Sequence, residues 1–409
     1  MNFSRFNKPQ YRNALGILVA IVAFLLAYRE GMSEDQQGDF FIFWQAGRNF
    51  IDGKALYQSI GGAEEFLYPP IAPMVFQLLA LLPFHASAVA FSFLNLGLWV
   101  GVFWVVVGIL RFYYPNGSFL IPICFGVLAS ARYFWHTFIW VNINIFILSL
   151  CLLGIYWYLS KKENKAILCF VLATGMKVMP GIFLILLAIK SNWITRFKLL
   201  AIGLGIVFSP LIFRGIHQGT QDWQDYLNTA LIPFLNGKVY TDWISFSVSS
   251  MVFKLLTAHP PIDGLSYNLA SWPPERAKIL SKCLQLLILG SVLWIFIRNR
   301  FVKHKPQILD LEWVLAFLTM VLVAGVSWEG HHVSMALCYP LVYLNLSQNQ
   351  QIGLRKTFVV VCGILGILVL DLLGTSLYNY AQGFSLITFV MLFLLSICLK
   401  NLFTDKTIP

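Results

Sequence analysis

The chain has 409 residues, 58% hydrophobic and 11% charged, with a mean hydropathy of +0.73, an apolar excess too large for a soluble core to hide. Its net charge of +11 sits mostly in short loops between apolar runs, as the cytoplasmic bias of Lys and Arg in membrane proteins produces, and forms no patch suited to nucleic acid. These figures exclude a soluble enzyme and describe an all-α polytopic membrane protein.

About twenty apolar residues cross ~30 Å of hydrocarbon. In chain order the candidate runs are 14–30, 69–83, 86–110, 117–132, 143–158, 166–190, 199–213, 277–297, 308–326, 333–346, 357–372 and 384–399, which predict about twelve spans in one domain covering 1–409. The first run is followed by acidic residues and lacks a small-residue cleavage pattern, so it reads as a retained helix. The loop 31–68 carries Glu34, Asp35, Asp39, Asp52, Glu64 and Glu65 against Arg48 and Lys54, a balance expected on the exoplasmic side. Within it, Phe40, Phe41, Phe43, Trp44, Gly47, Phe50 and Ile51 fall on one helical face and Gln45, Arg48, Asn49 and Asp52 on the other. That pattern predicts a helix lying flat in the membrane interface and ending at Gly53.

Further along, Arg111 and the cluster Lys161 to Lys165 cannot both be cytoplasmic unless one short segment is re-entrant or miscounted. The run 166–190 is broken by Gly175 and Pro180, which predicts two short helices meeting at Lys177. The loop 214–276 is the second large exoplasmic segment, and its 245–256 stretch reads as a second surface helix. Basic clusters at 190–198, 298–305 and 355–356, with Arg5, Lys8, Arg12 and Lys400, place both termini in the cytoplasm of a plasma-membrane protein. Loop 31–68, loop 214–276 and the Ser327 to His332 junction then share the outer face. The seven cysteines all lie in apolar runs without metal-ligand spacing and read as buried small hydrophobes.

Several polar residues on that outer face have two readings each. Asp39 fits an N-cap worth ~1 kcal/mol, and it equally fits a general base kept ionised by the helix N-terminus. Lys177 is about a dozen residues, roughly 18 Å along a helix, from the Lys161 to Lys165 cluster. It reads either as a cation snorkelling outward or paired with a loop acid, or as a phosphate-binding group. His331 and His332 diverge by ~100° on a helix, so one of them can enter a given pocket and donate to a phosphate leaving group. Neighbouring histidines do not easily chelate one ion, and neither a metal nor a cofactor is expected. Asn142 and Asn144 serve helix-to-helix hydrogen bonding or contact substrate. Trp223, Tyr226, Tyr240 and Trp243 form either interfacial anchors or a sugar-stacking wall, and Asp242 is a second candidate base.

The ordered set Asp39-Phe40, Gly53-Lys54-Ala55-Leu56-Tyr57, Tyr68-Pro69-Pro70, Asn142-Ile143-Asn144, Lys177-Val178-Met179-Pro180 and Ser327-Trp328 with His331-His332 resembles glycosyltransferase family 87, of the GT-C type. That family includes polyprenol-phosphate-mannose-dependent mannosyltransferases. The resemblance implies a GT-C-like bundle with exoplasmic juxtamembrane helices. It also implies inverting transfer of a hexose from a polyprenyl-phosphate donor to a glycan or glycolipid acceptor at the outer face. Asp39 would be the base, one of His331 and His332 would hold the donor phosphate, and Tyr57, Tyr68 and Asn142 would lie near substrate. The chain departs from the family pattern where Trp140-Val141 replaces a Gly-Gln before Asn142, and in the loosely matching Thr241 to Ser245. The absence of a Gly-rich phosphate loop agrees with a lipid-borne donor. The rival readings are a transporter or lipid flippase, which would place its polar site at the midplane between repeats, and a scaffold without activity, which would leave these residues no shared purpose.

Overall fold

The computed structural model describes residues 22, 24–32, 38–57, 66–240, 244–258, 266–367 and 370–404; Asp242 and Trp243 lie outside the described residues. The first half comprises α1 (Gly38–Ile51), α2 (Ile71–Ala80), α3 (Phe84–Tyr113), α4 (Leu120–Ile139), α5 (Asn144–Leu159), α6 (Glu163–Met176), α7 (Gly181–Lys190) and α8 (Trp193–Arg214). There follow α9 (Ile216–Tyr226), a π-turn Leu227–Leu231, α10 (Ile232–Leu235), α11 (Val248–Leu256), α12 (Pro274–Phe301) and α13 (Asp310–Leu322). A 3₁₀ helix Glu329–Ser334 leads into α14 (Met335–Gln348), α15 (Ile352–Ile367), α16 (Leu370–Leu373), α17 (Thr375–Gly383) and α18 (Leu386–Thr404). The only β pairing among the described residues is one isolated bridge, Thr257 to Trp272.

The bundle has two distinguishable ends. At one, Tyr113 Oη donates to Ile308 O (2.8 Å), Thr195 Oγ1 to Glu163 (2.5 Å) and Gln351 Nε2 to Asn401 (3.1 Å), while Lys190 pairs with Glu312 at 2.7 Å. This end gathers Arg111, Lys161 to Lys165, Lys190 to Lys198 and Arg298 to Lys305. At the other end, Asp39, Asn142, Lys177, Arg214 and His331 come together. Four helices, α3, α8, α12 and α18, are long and apolar enough to cross a membrane, and α2, α5 and α7 are shorter apolar helices. This is a multi-pass membrane protein, and among the described residues four helices, rather than twelve, have the length and apolar character of a full span.

Two of the twelve runs are not simple crossings. Residues 69–83 become α2, whose ten residues rise only ~15 Å. Both of its ends stay on α1: the Phe43 and Phe76 rings lie 4.9 Å apart, Arg48 donates to Ala80 O at 3.2 Å, and Trp44 Nε1 donates to Leu82 O at 3.1 Å. Removing 69–83 from the crossings resolves the conflict over parity, because Arg111 and Lys161, two runs apart, then both fall at the end opposite Asp39. The run 166–190 is broken as its Gly175 and Pro180 predict. α6 leaves the basic end, Lys177 sits at the apex, and α7 returns. Stacked rings of Phe170, Phe183 and Trp313, with centroids 5.3–6.1 Å apart, bind this hairpin to α13.

A helix forms over the apolar stripe, as α1, and its last turn closes at Gly53, whose φ of +69° suits the residue without a Cβ. Its faces are shifted from the expected ones: Asn49 is buried and donates to Ala55 O at 3.2 Å, whereas Ile51 is exposed. The predicted second surface helix is buried instead, because Lys254 in α11 donates to Ser245 O (2.8 Å) and to Gln382 O (3.0 Å) beneath α17. Of the cysteines expected to be buried, Cys124 and Cys283 face outward from their helices. In a bundle that spans a membrane, that outer surface is apolar by default.

Arg214, at the end of α8, ties the interfacial helix to the bundle. It donates to the backbone oxygens of Asn49 (3.0 Å) and Phe50 (3.1 Å) in the last turn of α1 and of Lys54 (2.6 Å) just beyond it. Its charge is met by Asp222 of α9 at 2.7 Å, and both side chains are almost wholly buried. Removing the cation strands the Asp222 carboxylate, so Arg214→Ala should lose about 3–5 kcal/mol of stability. Thermal unfolding of the detergent-solubilised protein checks this, and an unchanged midpoint refutes it.

Candidate active site

The site begins with a run of hydrogen bonds through five residues from four separate segments. Asn142 Nδ2 donates to Asp39 Oδ2 at 2.5 Å, and the backbone N–H of Asn144 donates to Asn142 Oδ1 at 3.2 Å. Lys177 Nζ then donates to Asn144 Oδ1 at 2.8 Å and lies 2.8 Å from His331 Nε2. The turn between α4 and α5 carries both asparagines and is itself held by Asn95, whose amide donates to Asn142 O at 3.0 Å. Asp39 stands in the first turn of α1, yet its recorded bond is to this distant side chain and not to a helix-start amide. Asp39 is therefore a carboxylate aimed into the bundle.

The 3₁₀ helix sets the histidines. The Trp328 N–H donates to His331 Nδ1 at 3.1 Å, so Nδ1 is an acceptor and the proton of a neutral ring sits on Nε2, facing Lys177. His332 turns the other way: its Nδ1 lies 3.1 Å from Trp328 O, and its ring packs against Tyr133 and Phe246. Only His331 reaches the site, as the divergence of neighbouring helical residues requires. Gly330 makes this possible, since a Cβ there would come within 2.7 Å of Thr137 Oγ1 and 3.1 Å of Asn144 Nδ2. Behind the turn, Glu329 is anchored by Arg132 (2.6 Å) and by Tyr378 Oη (2.8 Å).

A cavity of about 880 Å³ opens onto this arrangement, lined by Asp39, Tyr68, Lys177, Tyr240 and His331 together with apolar side chains such as Ile185, Leu286 and Met320. Of the other described candidates Tyr226 also lines it, whereas Asn142, Tyr57, Trp223 and His332 do not. Asn142 acts through Asp39. Tyr57 donates to Tyr68 O at 2.7 Å and so positions the tyrosine that does line the cavity. Trp223 spends its indole N–H on Val207 O at 3.0 Å, between α9 and α8, and does not line this cavity. His332 is corrected in the same way, from candidate phosphate ligand to buried support. Sequence reasoning missed Trp328 and the lysines of α12 on the cavity wall; the former had a signal in its place beside the histidines, the latter only in their distance from the basic end.

Burial pushes the Asp39 carboxyl above its ordinary range, opposed by the Asn142 hydrogen bond and then by the charges of His136 and Lys177. Burial, then the neighbouring Lys177, drives His331 well below the usual histidine value, so it is a neutral N–H donor. Burial also works to raise Glu329, but Arg132 outweighs it and the carboxyl ends below its usual value, ionised. Such a site offers a carboxylate able to accept a proton and, several residues away, a cation and a neutral donor suited to an anionic oxygen. Among the described residues no three His, Cys, Asp or Glu side chains stand close enough to hold a metal ion.

The sequence profile of glycosyltransferase family 87 matches residues 66–325. The chain belongs to that family. No curated protein and no solved structure matches it. The matched segment takes in Tyr68, Asn142, Asn144 and Lys177; Asp39 precedes it and His331 follows it. The chain is thus a membrane glycosyltransferase, and the hydrogen-bonded run joins the matched core to residues on either side of it.

If Asn142 helps keep the buried carboxylate of this glycosyltransferase ionised, Asn142→Ala should move the Asp39 titration to higher pH. Infrared titration of the carboxyl band, with Asp39→Asn to assign it, checks the direction. A titration at or below the wild-type pH refutes it.

Proposed function

We propose that this family 87 enzyme transfers a hexose from a polyprenyl-phosphate carrier to a hydroxyl of a glycan or glycolipid at the exoplasmic face of the plasma membrane, with inversion and with Asp39 as base. The observation that carries this reading is the sharing of one cavity by Asp39, Lys177 and His331, linked through two neutral asparagines and not paired directly. A direct Asp39–Lys177 ion pair would spend both groups on each other.

In the proposed step, the acceptor oxygen attacks the anomeric carbon while its proton passes to the Asp39 carboxylate. The bond from that carbon to the phosphate oxygen breaks, and the electron pair leaves with the polyprenyl phosphate. Lys177 and His331, whose Nζ and Nε2 lie 2.8 Å apart on the cavity wall, bring an ammonium and a ring N–H to one place for a phosphate oxygen. Tyr68 and Tyr240 offer ring faces to the sugar, while Ile185, Leu286, Leu289 and Met320 give the cavity an apolar side for a prenyl chain. Metal and nucleotide have no part in this reading.

Purified enzyme given a panel of polyprenyl-phosphate sugars should release polyprenyl phosphate with at least one of them. Asp39→Asn should fold with an unchanged melting temperature yet turn over about a hundred- to ten-thousandfold more slowly, the usual cost of losing a positioned base. Near-normal turnover in that variant would return Asp39 to a structural role and leave Asp242 as the base to test. Lys177→Ala should weaken donor use about ten- to a hundredfold, the worth of a charge-assisted contact, whereas Lys305→Ala at the basic end should not. Equal kinetics in the two lysine variants would remove Lys177 from the donor site.

A further inference from the structure

The cavity wall contributed by α12 carries Lys278, Ser281, Lys282 and Gln285, an i, i+3, i+4, i+7 stripe of polar residues on a helix long and apolar enough to cross a membrane. Two features make its lysines costly. They are like charges four residues apart, a spacing that destabilises an isolated helix. Lys282 also lies eight residues inside the helix, ~12 Å along its axis, at the end opposite Arg298 to Lys305, where the bias of cytoplasmic cations gives no reason for one. Among the described residues neither meets a carboxylate within ion-pair distance, and the cavity wall holds one carboxylate, Asp39, against Lys177, Lys238, Lys278 and Lys282.

The neighbouring loop makes room for these side chains. Gly237, at φ +93°, lies against the Lys278 stem, where a Cβ would come within 2.4 Å of Cε and press the side chain aside. Lys282 Nζ donates to Leu235 O at 3.1 Å beside it. Carbonyl contact satisfies one N–H of an ammonium and none of its charge.

From this wall we infer a second anion subsite, in which Lys278 and Lys282 take a lipid-borne phosphate other than the one at Lys177 and His331. It rests on the reading of Lys177 as the donor-phosphate ligand. The second phosphate has two chemical sources, the distal group of a diphosphate donor or the headgroup of an anionic acceptor lipid. The lysines recognise the same dianionic or monoanionic oxygens in either case.

Binding of four short-chain probes to the full-length protein in detergent separates these cases: citronellyl phosphate, citronellyl diphosphate, dioctanoyl phosphatidate and dioctanoylglycerol. The double variant Lys278→Gln/Lys282→Gln should bind citronellyl phosphate like the wild type. It should lose about ten- to a hundredfold in affinity for either the diphosphate, which assigns the second phosphate to the donor, or the phosphatidate, which assigns it to the acceptor. Lys278→Arg/Lys282→Arg should retain that affinity, and a matching melting temperature guards against misfolding. The subsite is overturned if wild-type protein binds phosphatidate no better than dioctanoylglycerol and diphosphate no better than monophosphate. It is also overturned if the glutamine variant loses citronellyl phosphate as fully as Lys177→Gln does. Should Lys177→Gln bind citronellyl phosphate like the wild type while the glutamine pair still loses its phosphate probe, the donor-site reading fails and the lysine subsite stands.

Discussion

A charge taken out of water needs a partner, and the placement of two neutral amides between Asp39 and Lys177 is the constraint on which the rest of this structure depends. Burying a carboxylate and an ammonium side by side would give a stable pair with no free capacity. Here Asn142 satisfies the anion through its N–H, and Asn144 satisfies the cation through its oxygen. The two charges feel each other without touching. Each amide must then hold a fixed orientation, which explains the second layer of contacts: Asn95 on the Asn142 carbonyl, and the close approach of Gly330 to Asn144.

Holding Lys177 at that position requires a helix to stop inside the bundle, which exposes backbone groups that a continuous helix would pair. The break repairs itself locally. Lys177 N donates to Ala173 O at 3.0 Å, Gly181 N to Val178 O at 2.9 Å and Phe183 N to Pro180 O at 2.9 Å, so the backbone polar groups of the apex are largely met before a ligand arrives. Pro180 has no N–H to satisfy and starts α7 with its φ already in the helical range, at −61°. The same logic places Arg214 on the last carbonyls of α1. Both devices let polar chemistry sit at one end of an otherwise apolar bundle.

Much of this was legible before any coordinates. The stripe of Phe40, Phe43 and Phe50 announces the interfacial helix, and Gly175 with Pro180 announces the break at Lys177, because backbone chemistry and periodicity act locally. What failed was non-local. Residues 69–83 are apolar enough for a span, and nothing in their composition says that they double back along α1. Trp223 and Trp328 look alike in sequence, but one spends its indole on Val207 and the other lines the cavity. Asn142 and Asn144 left helix packing and substrate contact equally open, and the structure shows them bridging segments, with the carboxylate at one end and the ammonium at the other. No motif marks the lysines of α12 in the sequence; the fold brings them to the wall of the cavity that Lys177 also lines.

On the reading of Asp39 as the base, its position at the rim of the bundle answers two demands that pull against each other. A base fully solvated in the interface would stay ionised but accept protons weakly, and one sunk fully into the core would hold its proton and be inert. Half-burial raises its proton affinity, while Asn142 and the more distant positive charges preserve the ionised form. An interfacial helix is suited to this compromise, because sliding or rotating it by one residue changes the depth of its first turn without disturbing the spans. The depth is set here by Phe40, buried against Phe76 and Phe91, by Phe43, buried against Phe76, and by Arg214 at the helix's far end. The aromatic packing of α1 therefore acts on the chemistry as well as the fold, since it fixes how far the carboxylate is withdrawn from water.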